Sequence, residues 1–322
     1  MPKLILEIPI INGCGTLSYL DTFDRLEKMG ACFGAWVPKS IGPYSRDPGL
    51  REKYGWGIEK PGNPNPVVVH TGHIQLNSMG LPTHPVESWI EEFESTPLRK
   101  PIIGSVYGNK PEDYARLIGM FDKYVIAWQA NISCPNKEKG EKSIREIMTS
   151  KSELIFAPLR DVTKKPVFAK LSPAEDYVGL AEILKEHVDG FVCGNTEPGL
   201  VIDIYSRRPI LAGIYGGMSG PATKPKKIKM VNDVYDVIKG SNLQIIASGG
   251  IESYEDVIEY AIAGASIFEL GTCFAKTLHD GRVIGRTNQE IVNLTKRIWE
   301  GIQNFLIEQD ITLDKLVGSL VK

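Results

Sequence analysis

Short apolar runs alternate with amphipathic stretches along nearly the whole chain. That is the pattern of strands buried on both faces, each followed by a helix with one apolar side. The runs predict strands over residues 32–38, 74–77, 101–106, 126–133, 167–171, 190–194, 243–247 and 266–270. Helices are predicted over residues 21–29, 85–94, 111–124, 143–159, 175–187, 226–239, 253–263 and 289–308. Pro85 and Pro111 at helix starts, and Gly30, Gly240 and Gly264 after helix ends, fit the capping asymmetry of these two residues. Eight parallel strands alternating with helices close an α/β barrel, so the pattern predicts one (β/α)8 domain spanning residues 1–322. The alternative, an open doubly wound sheet, should carry G-x-G-x-x-G after its first strand. Asn12-Gly13-Cys14-Gly15 precedes the first predicted strand instead.

Two connections exceed plain loops. Residues 42–73 hold five prolines and the aromatics Tyr44, Tyr54 and Trp56, and residues 196–224 hold Gly213, Gly216, Gly217, Gly220 and Pro221. Both are expected to run over the C-terminal face of the barrel, because long connections in a folded domain are usually functional and aromatics argue against disorder. The run from Gly213 to Gly220 lacks a Walker lysine and reads as a loop laid against a flat ligand.

Composition narrows the class. Hydrophobic residues at 42% and charged residues at 24% leave ample material for a core and exclude wholesale disorder. Lys plus Arg (37) nearly cancels Asp plus Glu (39), which argues against a nucleic-acid or anionic-membrane surface. No apolar stretch reaches the roughly 18 residues of a membrane span, and the first residues lack a signal-peptide pattern, so a cytoplasmic protein is expected. Cys14, Cys32, Cys134, Cys193 and Cys273 form no C-x-x-C pair, so no disulfide framework, zinc knuckle or iron–sulfur site is encoded. His70 and His73 invite a metal reading, but no third ligand follows at a useful spacing, and no metal is expected.

Barrel enzymes build their sites at the carboxyl ends of the strands. In this chain those ends carry Lys39-Ser40, Asn77-Ser78-Met79-Gly80, Asn131 through Asn136, Lys170, Asn195-Thr196, Ser248-Gly249-Gly250 and Gly271-Thr272. Each alone reads as a turn residue or a solvated lysine; their convergence on one rim reads as a catalytic site. Glycines after the last two strands let backbone N–H groups approach a phosphate.

The run Asn131-Ile132-Ser133-Cys134-Pro135-Asn136 resembles the N-[IL]-S-C-P-N motif of the dihydroorotate dehydrogenases, and Leu76-Asn77-Ser78-Met79-Gly80-Leu81-Pro82 is similar to their N-x-[MI]-G-L loop. Lys39-Ser40, Lys170-Leu171, Asn195-Thr196, Gly216 through Gly220 and Ser248 through Ile251 follow in the family's order, and the resemblance covers about residues 8–274. It implies a TIM barrel holding FMN through Gly13, Cys14, Gly15, Lys39, Ser40, Asn131, Lys170, Gly217, Ser219, Gly249, Gly250, Gly271 and Thr272. For the pyrimidine it implies Lys39, Asn77, Met79, Gly80, Leu81, Asn131, Asn136, Asn195 and Thr196, with Cys134 as the base. The implied reaction oxidises dihydroorotate to orotate in pyrimidine synthesis, hydride passing to flavin N5 and a proton to Cys134. The chain departs from its relatives in an insertion including residues 46–60, in the stretch 278–288, and in Cys14 where they usually have Ser.

Cys134 as base and the lack of an N-terminal helical extension imply the soluble class. That class holds homodimers and chains joined to a separate FAD and iron–sulfur subunit. Three alternatives stand beside this reading: another dihydropyrimidine as substrate, a flavin-free phosphate-binding lyase or isomerase using Lys39 or Lys170 as a Schiff-base amine, and a non-catalytic flavin-bearing scaffold.

Overall fold

A computed structural model describes residues 2–44, 66–71, 73–133, 154–277 and 283–322. Its core is a curled parallel sheet of β1 (Ile10–Asn12), β2 (Ile103–Val106), β3 (Ala127–Asn131), β4 (Val167–Leu171), β5 (Gly190–Cys193), β6 (Gln244–Ser248) and β7 (Ile267–Leu270), in the order β1-β7-β6-β5-β4-β3-β2. The gap between β1 and β2 is filled by a segment that makes isolated parallel bridges, Ile11 to Ala35 and Trp36 to Ile102, and this eighth stave closes the ring. The chain therefore forms a TIM-type α/β barrel.

One predicted stave is misplaced. Ile74–Asn77 is a strand, but it lies outside the barrel, in an antiparallel sheet ordered Val68–Thr71, Ile74–Asn77, Tyr215–Ser219, Glu197–Leu200. Its place in the ring belongs to β1, three residues buried on all sides. A four-residue apolar run carries no information about its pairing partner, so the two segments look alike until they pair. The glycine-rich stretch likewise folds as the strand Tyr215–Ser219 rather than as a loop. Both excursions thus contribute to one sheet over the mouth of the barrel.

The interior is layered by the two-residue period of strands. One layer takes an apolar residue from every stave: Ile11, Ala35, Ile103, Ala127, Phe168, Val192, Ile246 and Ile267, floored by Leu4 and Leu6. Two residues further along each stave, the next layer reads Gly13, Val37, Ser105, Gln129, Lys170, Gly194, Ser248 and Glu269, and it is largely polar or small. The switch marks where packing ends and chemistry begins. Outside the ring a larger apolar shell joins the staves to the helices α1 (Leu20–Lys28), α2 (Val86–Ser95), α3 (Pro111–Phe121), α4 (Leu159–Val162), α5 (Tyr177–Leu184), α6 (Lys224–Ile238), α7 (Tyr254–Ala263), α8 (Asn288–Glu308) and α9 (Leu313–Leu316).

The eighth stave is held by backbone bonds from Gly34 N to Ile10 O, Trp36 N to Pro101 O and Ile103 N to Trp36 O, and a buried amide reinforces them. Asn12 accepts from Val37 N at 2.8 Å and donates to Val37 O at 2.7 Å and Thr16 O at 3.0 Å. Losing these bonds would strand buried backbone groups, at about 1–3 kcal/mol each. Asn12 thereby fixes the segment that delivers Lys39 to the rim.

Candidate functional site

A cleft opens at the C-terminal mouth of the barrel under the antiparallel sheet. It gathers residues from almost every stave end: Gly13, Cys14 and Gly15 after β1, Lys39 and Ser40, Asn131 at the end of β3, Lys170 in β4, Asn195 and Thr196 after β5, Gly249 and Gly250 after β6, and Gly271 and Thr272 after β7. Asn77, Met79, Gly80, Leu81 and Ser219 enter from the sheet above. Cys134 and Asn136, predicted as base and substrate ligand, lie outside the described residues, as do residues 46–60.

Gly217 differs from expectation. It does not line the cleft; a Cβ there would fall 2.2 Å from Thr196 Oγ1, and its carbonyl accepts from Asn77 Nδ2 at 3.3 Å. The glycine is required by the close approach of Thr196, while its carbonyl orients Asn77.

At one end of the cleft the walls are backbone. Gly250 adopts φ +71°, and a Cβ there would press on Lys224 Cβ at 2.9 Å and Gly220 O at 3.0 Å. Only glycine fits that turn. The chain then enters α7, whose Ser253 and Asp256 form a capping box, so a helix N-terminus stands behind the glycine corner.

At the other end the side chains are polar and oriented. Lys39 Nζ lies close to Gly15, where a Cβ would sit 3.5 Å from it. Cys14 Sγ is 3.0 Å from Ser40 Oγ, which is 2.9 Å from Ser105 Oγ. Asn195 Nδ2 donates to Asn131 Oδ1 at 3.1 Å and to Ser133 Oγ at 3.2 Å, while Ser133 Oγ donates to Lys170 O at 2.8 Å. These bonds fix which face of each amide is turned to the cleft.

Several contributors escape a reading of strand ends. Lys227 lines the cleft although it comes from α6; it donates to Asn195 O and lies 3.5 Å from Glu197 Oε1, lysine and glutamate both buried. Its signal was its spacing from Met230, Val231 and Val234 on the buried helix face, masked by the surrounding lysines. Gln75 also lines the cleft, is nearly fully buried, and has no partner for Nε2. Lys39, Lys170 and Lys227 line the cleft, and no Asp or Glu does among the described residues. Lys170 and Lys227 are paired behind the lining with Glu269 and Glu197, so the arrangement suits a ligand with localised anionic groups.

Desolvation pushes the Lys227 ammonium down from 10.5 to about 8, against the opposing pull of Glu197. The folded value lies below the unfolded one, so between about pH 8 and 10.5 the unfolded chain binds more protons and stability rises with pH. The gain across that window is about 3 kcal/mol. Urea midpoints at pH 7.5 and 10 should reveal the slope in the parent, and Lys227→Met should flatten it.

Sequence comparison agrees with this geometry. The family model for dihydroorotate dehydrogenase matches residues 57–294. A Methanocaldococcus jannaschii protein named dihydroorotate dehydrogenase B (NAD(+)), catalytic subunit, is 35% identical over 301 residues, covering 91% of this chain and 88% of its own. Proteins of the same name from Archaeoglobus fulgidus (32% over 284 residues, covering 87% and 89%) and Thermoplasma volcanium (38% over 259 residues, covering 79% of each) are also similar. With the model match spanning more than half its length and these relatives aligned along most of it, the chain belongs to the dihydroorotate dehydrogenase family of oxidoreductases.

Proposed function

We propose that the chain holds FMN across the barrel mouth and oxidises dihydroorotate to orotate in pyrimidine biosynthesis. The observation that carries this reading is the mixed lining of the cleft, which joins a glycine corner backed by a helix N-terminus to lysines and oriented asparagines. The first suits a phosphate and the second an anionic ring with amide edges. Gly249, Gly250, Gly271 and Thr272 would hold the phosphate, with Ser40, Asn131 and Lys170 toward the ring. The unpartnered Nε2 of buried Gln75 offers a further donor to a ligand. When bound, the flavin supplies the two-electron acceptor that takes hydride from ring carbon six.

The remaining work falls to the chain's own groups. Lys39 pairs with the substrate carboxylate, Asn77, Asn131, Asn136 and Asn195 hold its amide edges, and Cys134 accepts the proton from carbon five. A Schiff-base role for Lys170 fits less well, because its ammonium is held by the Glu269 carboxylate at 2.8 Å.

The curated relatives are named catalytic subunits. By the same logic this chain would pass its electrons to a separate FAD and iron–sulfur subunit, since it has no C-x-x-C pair of its own, or act as a homodimer. The exposed Ile204 and Tyr205 on the second excursion, 75% and 90% accessible, give a partner apolar surface to cover.

The test is anaerobic bleaching of the visible flavin band. Dihydroorotate should bleach the holoprotein faster than dihydrouracil or dihydrothymine. Faster bleaching by either of those two would reassign the substrate, and a colourless protein that fails to take up added FMN would overturn the reading altogether.

A further inference from the structure

The second interior layer contains a charge pair that crosses the barrel. Lys170 on β4 and Glu269 on β7 are separated by two staves, β5 and β6, which present only Gly194 and Ser248 at this level and so leave room between them. Lys170 Nζ meets Glu269 Oε2 at 2.8 Å, with side-chain exposures of 7% and 0%. Gln129 on β3 donates from Nε2 to the other carboxylate oxygen at 2.6 Å. Lys170 lines the cleft and Glu269 does not. Whatever Glu269 does to a ligand, it does through the lysine.

A buried carboxylate has no packing reason to stand between Phe268 and Leu270 in a stave whose four residues are all buried. Ion pairs of this kind are weak contributors to stability, although breaking one side strands a charge. Their electrostatic effect on a third group is larger. A lone buried ammonium favours any neighbour that gains negative charge, and a carboxylate in contact with it cancels most of that field.

We propose that Glu269 is a positioning residue that holds Lys170 at the cleft floor and, by neutralising it, sets the electron affinity of the flavin bound there. This rests on the FMN reading above. Hydride transfer brings two electrons and one proton to the ring, which therefore gains a negative charge that an unpaired lysine would stabilise. The pair keeps the ring from holding its electrons too tightly, so that they can leave for a remote acceptor. Gln129 fixes the carboxylate in the orientation that meets Nζ.

The experiment uses the FMN-loaded protein, first confirmed to take up the cofactor by its absorbance. Its two-electron equilibrium is then read against a reference dye during slow enzymatic reduction. Glu269→Gln keeps the shape while removing the charge: its amide oxygen can still accept from Lys170 Nζ, and its NH2 can donate to Gln129 once that side chain turns over to present its unpartnered Oε1. It should shift the equilibrium toward the reduced state at least tenfold, about 30 mV for a two-electron couple, and tighten the flavin's adduct with sulfite in the same direction. Glu269→Asp keeps the charge but withdraws it by one methylene, so it should shift the same way by less, and it decides the matter alone if Glu269→Gln does not fold. Gln129→Leu retains both charges and should move the equilibrium less than Glu269→Gln does. A flavin-loaded Glu269→Gln with the parental equilibrium, or Glu269→Asp shifted in the opposite direction, overturns the proposal. A parent that takes up no flavin overturns the reading beneath it, and that outcome is visible before any variant is made.

Discussion

Cys134→Ala is expected to leave FMN uptake intact while slowing reduction of the bound flavin by dihydroorotate roughly 10²–10⁴-fold, the usual cost of losing a general base. The expectation starts from chain position. Cys134 directly follows Ser133, whose hydroxyl donates to Lys170 O and accepts from Asn195 Nδ2 at the rim of the cleft. Of the other thiols near stave ends, Cys193 and Cys273 are buried, and burial pushes both far up from the usual thiol range; Cys14 lines the cleft beside Ser40, so Cys14→Ser is the control that should keep the parental rate. An ordinary thiol titrates at about 8.5, so the parent's rate should climb with pH toward a plateau. The same climb should persist in Lys227→Met, which removes an ammonium whose titration near pH 8 would otherwise overlap it. Cys134→Ser should recover part of the rate at high pH. Stopped-flow reduction under anaerobic conditions measures all of these. An alanine variant reduced at the parental rate would move the base elsewhere, with Ser133 next to be replaced.

Lys39→Met should produce the second large loss, on substrate rather than on cofactor. The ammonium sits at the polar end of the cleft against Gly15, its backbone N held by Ser18 O at 3.2 Å. Truncating one partner of a buried, hydrogen-bonded charge pair costs about 2–5 kcal/mol. At about 1.4 kcal/mol per factor of ten, kcat/KM for dihydroorotate should fall from about 30-fold to a few thousand-fold. Dihydrouracil has no carboxylate, so its slower reaction should change little in the variant. Equal losses on both compounds would assign Lys39 to the flavin alone.

Seven staves are legible in the chain because each is a short apolar run bounded by turn residues, and burial on both faces demands that composition. β1 is the exception. Its run is three residues long, and its pairing partner lies at the opposite end of the chain, which no local pattern can report. Asn77 was foreseen at the rim, yet it arrives there from the covering sheet, where its partner is the strand Tyr215–Ser219, not a neighbouring stave. The lining residues at strand ends are legible because barrel geometry points them to one face. Glu269, Gln129 and Lys227 are not, since each sits inside an element rather than at its end. A charge embedded in a doubly buried strand was the available signal for Glu269.

The pairing of Ile10 with Phe268 closes the ring, and it also sets a clock. With about 260 residues between them, synthesis at about 5–20 residues per second leaves β1 without β7 for on the order of 10–50 s. During that interval β1, the eighth stave and β2 to β6 can pair in order of appearance, as an open parallel sheet whose edges, β1 and β6, await β7. Closure of the ring therefore waits on its most non-local pairing, and until then the half-built barrel leaves two strand edges exposed.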